Sequence, residues 1–164
     1  MNNSGEKSSL RAAFPFSGIC IAMFCLALLG SCSVAKSVRR GFGGEIPFTV
    51  TVAPDANENS AVAVDVVVVY DPIALDQLMK LPARKWFADK KQFENDHRGQ
   101  IEVQSWEWAP SQSVGEQSVA YHSGARKIVV FADYLREGDH RAALDPQQPF
   151  HLTLDTLNLD VRPQ

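Results

Sequence analysis

Residues Ala61–Asp71, AVAVDVVVVYD, restrict the fold more than any other stretch of this 164-residue chain. Val62, Val64, Val66, Val68 and Tyr70 repeat with the period of a strand, and Val67 and Val69 make the opposite face apolar as well. β-branched residues at this density disfavour a helix and favour a pleated surface. A strand that is apolar on both faces needs cover on both, so this one is expected at the centre of a sheet. Asp65 lies on the second face near the start, where that face is expected to meet water.

Other strands are predicted around it. Ile46–Ala53 alternates Phe48, Val50 and Val52 with threonines. The turn-forming run Pro54–Ser60 separates it from the valine-rich strand as an exposed loop. Pro72 ends the central strand, and the period then changes. Ile73, Leu75, Leu78, Met79 and Leu81 fit a short helix. A second helix starts at Pro82 and places Trp86, Asp89, Lys90 and Phe93 on one face. Gln100–Trp108 alternates imperfectly, since Ile101 and Val103 have one parity and Trp106 and Trp108 the other, which predicts a bulge near Gln104-Ser105. Glu116–His122 and Arg126–Leu135 are further strands, Arg136–Asp145 a loop or helical turn, and Phe150–Val161 a last strand kinked at Asp155-Thr156. Six to eight strands with one helical insertion over about 72–98 predict a mainly β, two-sheet antiparallel sandwich.

The N-terminal stretch has a different logic. Lys7 and Arg11 precede an uncharged run of 12 residues, Gly18–Leu29, which closes on Leu29-Gly30-Ser31-Cys32. A membrane-spanning helix needs about 20 apolar residues, so this run is too short. A basic start, a short apolar core and a small-residue site form a secretory leader. Leu, Gly, Ser and Cys in this order resemble the lipobox of bacterial lipoproteins. That resemblance implies cleavage after Ser31, with a diacylglyceryl group on the Cys32 thiol and an acyl chain on its new amino terminus. The expected organisation is a leader over 1–31, a lipidated tether over 32–45 and one domain over 46–164. By composition, residues 33–45 behave as a flexible linker with an r.m.s. span of about 20 Å.

The formal net charge is −3, and loss of Lys7, Arg11 and Glu6 with the leader makes it one unit more negative. Nucleic-acid binding needs a basic field, which this balance does not supply. The cysteines are Cys20, Cys25 and Cys32, so a mature chain has no thiol beyond the acylated one and no cysteine metal site. His97, His122, His140 and His151 stand at no metal-ligand spacing, and no nucleophile elbow or phosphate loop is present. An enzyme is not expected, nor a metal or a cofactor other than the covalent lipid. Trp106-Glu107-Trp108 permits two readings: a stacking platform for a glycan or other periplasmic ligand, or cover for the core.

Taken together, the lipobox, the short tether, VAVDVVVVYD, the aromatic-bearing LPARKWFADKKQFEND and the apolar strand with its charged corner, IVVFADYLREGDHRAAL, resemble the outer-membrane lipoproteins of type VI secretion systems, the TssJ or SciN type. The resemblance implies a transthyretin-like sandwich with a helical appendage. It also implies outer-membrane anchoring with the domain facing the periplasm, and a structural role in tethering a TssM-type inner-membrane protein. In that family the loop between the first two strands helps contact the TssM-type partner. Asp55, Asn57, Glu58 and Asn59 are the residues at that place here. The Gly-Arg-Pro-Ser-Pro-like segment common before the second strand is replaced by Glu58-Asn59-Ser60-Ala61, and the loop is short.

Overall fold

The valine-rich strand lies inside a four-stranded sheet with helices on one side and a second sheet on the other. The computed structural model describes residues 43–164. The leader, Cys32 and the tether up to residue 42 lie outside the described residues. Eight strands run in chain order: β1 (Gly44–Val52), β2 (Val62–Val69), β3 (Ile101–Trp108), β4 (Gln117–Tyr121), β5 (Lys127–Asp133), β6 (Arg141–Leu144), β7 (Phe150–Leu154) and β8 (Leu159–Pro163). Helices α1 (Pro72–Leu78) and α2 (Ala83–Asp96) separate β2 from β3. One sheet has the order β4-β1-β7-β8 and the other β3-β2-β5-β6. The expected two-sheet sandwich with its insertion after β2 is what forms. One pairing departs from an all-antiparallel scheme: β1 and β7 run parallel, Phe48 opposite Phe150 and Val52 opposite Leu154.

Alternation explains the layering. Ile46, Phe48, Val50 and Val52 of β1 face Val62, Val64, Val66 and Val68 of β2 across the sandwich, and all are buried. Phe48 stacks on Phe150 with ring centres 4.8 Å apart and meets Trp106 edge-on at 5.4 Å. The odd-numbered residues of β2 build a second core. Val67 and Val69 pack with Val129, Phe131, Ala74, Leu78 and Trp86 under the helices. Burying a Val side chain contributes about 1.5–3 kcal/mol, so a strand with two buried faces draws stability from both cores. Asp71 starts α1 as its N-cap, its carboxylate accepting the N–H groups of Ile73 and Ala74 at 2.8 and 2.9 Å.

Four sequence expectations need correction. Asp65 does not meet water: it is 1% exposed, accepts Trp86 Nε1–H at 2.8 Å and pairs with Lys90 Nζ at 2.9 Å. β3 contains no bulge and keeps one register with β2 from Val69–Ile101 to Val62–Trp108. Its parity changes because the cover changes: Ile101 and Val103 face the helices, while Trp106 and Trp108 face the inter-sheet core. Phe150–Val161 is a hairpin, not one kinked strand, because β7 turns at Asp155–Asn158 and pairs antiparallel with β8. Part of the segment expected as a loop or helical turn after Arg136 forms the short strand β6 against β5.

Candidate functional site

Strand directions divide the sandwich into two ends. The chain enters β1 at Gly44, beside the end of β4 at Tyr121. β1 then runs to Val52 and delivers the 53–61 loop at the opposite end. The β5–β6 connection after Asp133 and the β7–β8 turn after Leu154 arrive at that same far end. Nine residues of strand separate the ends by about 30 Å.

The far end is built around a tight turn. Asn57, Glu58 and Asn59 have φ of 49°, 55° and 65°, three successive left-handed residues without a glycine. Asparagine tolerates this conformation through local hydrogen bonds, whereas for Glu58 it costs about 1–2 kcal/mol. Neighbouring loops hold the turn. Asn57 and Glu58 donate their backbone N–H groups to Asp155 O and Thr156 O, both at 3.3 Å. Thr156 Oγ1 donates to Asp55 Oδ2 at 2.7 Å. Arg136 forms an ion pair with Glu58. The Asn57 side chain points inward, 3% exposed. Its Nδ2 donates to Ala61 O at 2.9 Å and its Oδ1 accepts Leu135 N–H at 2.7 Å. One amide thus joins the turn to the β5–β6 loop.

Of the four residues singled out in this loop, Asp55, Glu58 and Asn59 are exposed at the tip and Asn57 is an internal strut. Sequence reasoning missed Leu135 and Leu157, which are 58% and 48% exposed and lie in the two flanking loops. Leu157 alternates with Leu159 and Val161 and so reads as one face of the last strand, which is why its exposure in the β7–β8 turn is not legible in the sequence. Tyr134 closes the floor: it is buried, donates its hydroxyl to Asn158 O at 2.7 Å, and has its pKa raised chiefly by burial. The surface is therefore a hydrogen-bonded polar tip flanked by two exposed apolar side chains.

Trp106 and Trp108 do not form an exposed platform. Trp108 is 3% exposed, Trp106 packs on the inter-sheet core and donates Nε1–H to Gln117 Oε1 at 3.1 Å, and the rings stack on each other at 6.0 Å. Their rings fill space between β3 and β4 instead of standing out together as a stacking platform. Among the described residues no three His, Asp or Glu side chains gather to hold a metal ion.

No protein-family model matches this sequence, and no curated protein matches it by sequence. Solved structures do match it in fold. Lip of Serratia marcescens, described as a membrane-bound component of the type VI secretion system, superposes with a TM-score of 0.58 at 15% identity, over 74% of this chain and 96% of that one. The lipoprotein TssJ1 of Pseudomonas aeruginosa superposes with a TM-score of 0.54 at 17% identity, over 74% and 97%. A chain in the structure of the T6SS protein TssM C-terminal domain (869–1107) from EAEC matches with a TM-score of 0.50 at 16% identity, over 75% and 99%. The chain therefore has a TssJ-type fold.

Proposed function

We propose that this protein is the lipid-anchored structural component of a type VI secretion membrane complex. In this reading Cys32 carries the acyl chains in the outer membrane. The domain faces the periplasm and holds a TssM-type inner-membrane protein through Asp55, Glu58 and Asn59, with Asn57 fixing their backbone. The observation that carries the reading is polarity: the tether joins the sandwich at Gly43, and the knitted 55–59 turn lies at the other end. A protein that bridges two membranes needs its anchor and its docking surface at opposite poles. The TssJ-type fold, which Lip and TssJ1 share, supports the reading. Ser33 follows the cysteine where an aspartate would favour inner-membrane retention, and two or more acyl chains give stable anchoring where one is marginal.

The experiment is fractionation combined with capture. The protein is expected in the outer-membrane fraction, and from there it should retain the periplasmic domain of the TssM-type protein encoded in the same genome. Cys32→Ser should abolish membrane recovery of the mature form. Recovery of a mature, acylated Cys32→Ser protein would sink the anchor assignment. Undiminished capture by an Asp55→Ala/Glu58→Ala/Asn59→Ala variant would sink the docking assignment.

A further inference from the structure

Beside the turn, the outer face of the β3-β2-β5-β6 sheet is left uncovered. Helix α2 begins only at Ala83, tied to the β6 side by Ala83 N–H to Asp139 O at 2.9 Å, and it covers the rows of the sheet nearer the tether. What remains is a groove of about 550 Å³, with Ala61 and Ala63 in its lining and Leu135, Arg84, Glu107 and Asp133 around it.

Register shows what this groove lacks. On the outer face the row Ser105–Asp65–Phe131 crosses three strands. A cation from the helix completes that row: Lys90 Nζ reaches Asp65 Oδ2 at 2.9 Å and Ser105 Oγ at 3.1 Å. The next outer row towards the far end is Glu107–Ala63–Asp133. Two carboxylates flank an alanine, their Cβ atoms about 10 Å apart across two strand spacings. Among the described residues neither carboxylate has a lysine or arginine at ion-pair distance. Arg84 stands at the edge of the groove and donates Nη2–H to Leu135 O at 2.7 Å rather than to either carboxylate. The alanine leaves space for one long side chain, and Leu135, 58% exposed, offers an apolar wall to its stem.

We infer that this groove receives an arginine or lysine side chain of the docked protein partner, its aliphatic stem against Ala63 and Leu135 and its cationic head between Glu107 and Asp133. The inference rests on the docking role proposed for the neighbouring turn and extends that surface onto the sheet. It repeats with a partner residue what Lys90 does one row away. Arginine suits the site better than lysine, because its planar fork can address both carboxylates.

The test is titration calorimetry of the full mature lipoprotein in detergent against the purified periplasmic domain of the TssM-type protein from the same genome. The chain is compared as wild type, Glu107→Gln/Asp133→Asn and Glu58→Ala/Asn59→Ala. With an unchanged melting temperature, Glu107→Gln/Asp133→Asn should bind about tenfold more weakly and with a flatter salt dependence, since complementary charge supplies both. Wild-type affinity and salt dependence in that variant, with loss in Glu58→Ala/Asn59→Ala, overturns the groove and leaves the turn as the docking site. Absence of binding by the wild-type protein overturns the docking role and the groove with it. Concentration-dependent dimerisation of the wild type that Glu107→Gln/Asp133→Asn abolishes, with partner affinity unchanged, assigns the groove to a second copy and overturns the inference.

Discussion

At the residue scale, Asn57 and Tyr70 each concentrate several demands on one side chain. Asn57 adopts a left-handed backbone and satisfies two buried backbone groups at once, Ala61 O and Leu135 N–H. Asn57→Ala leaves both without a partner and should destabilise the domain by about 2–4 kcal/mol in denaturant unfolding. Asn57→Asp keeps the acceptor for Leu135 N–H but buries an unpaired carboxylate against Ala61 O, so a loss at least as large as that of Asn57→Ala is expected. At Glu58 the sign reverses: Glu58→Gly relieves a left-handed non-glycine and gives up one exposed ion pair, for a net change between zero and about 1 kcal/mol of stabilisation. Tyr70 lies near the tether end. Its hydroxyl donates to Glu102 Oε2 at 2.7 Å and accepts His122 N–H at 2.8 Å. Burial, assisted by Glu102 and opposed by the His122 N–H, pushes its pKa from 10.0 up to about 12. The neutral form is thus favoured in the folded state. The resulting stability is fully present below pH 10 and is lost as pH rises towards about 12. Tyr134 shifts in the same direction, so Tyr70→Phe should shallow the alkaline slope of the unfolding midpoint and Tyr70→Phe/Tyr134→Phe should remove most of it.

Among the elements, α2 is held to the sheet by contacts that converge on Asp65 and Phe131. Trp86 stacks on Phe131 at 5.0 Å, and both Trp86 Nε1 and Lys90 Nζ serve the buried carboxylate of Asp65. Lys90→Met leaves that carboxylate without its cation and should cost about 3–5 kcal/mol, whereas Asp65→Val/Lys90→Met removes both charges and should recover part of the loss, since Trp86 Nε1–H then lacks its acceptor. A single variant as stable as wild type in chemical denaturation would show that the pair does not hold the helix. The same contacts show where sequence reading stops. β2 was legible because both its faces are apolar, and the helices because their period changes after Pro72. In sequence Asp65 reads as wet because its partner, Lys90, arrives from an element 25 residues later. The parity change in β3 reads as a bulge because local alternation does not show which face is covered where. In the 54–60 loop, the turn formers of Pro54–Ser60 mark an exposed tip. The inward Asn57 was invisible, since the loop that receives it is 78 residues away in sequence.

For the whole molecule, distance is the quantity that the fold sets. The sandwich holds the 55–59 tip about 30 Å from the point where the tether joins it. In the proposed reading residues 33–42 add an expected span of about 17 Å, since Gly44 and Glu45 already belong to β1. In the proposed reading, a tip fixed to the sandwich and a sandwich held by a linker make different demands on sequence. The tip requires particular residues, whereas the linker requires length. Replacing residues 33–42 by a glycine-serine segment of equal length should therefore leave capture of the TssM-type domain from outer-membrane fractions unchanged. Deleting residues 34–42 should reduce that capture while the detergent-solubilised protein keeps full affinity, because the domain and its turn are untouched and only reach is lost. The two assays separate the anchor from the docking surface. Equal loss in membranes and in detergent would show that the tether itself contributes contacts. Full capture after the deletion would show that the 30 Å of the sandwich suffices.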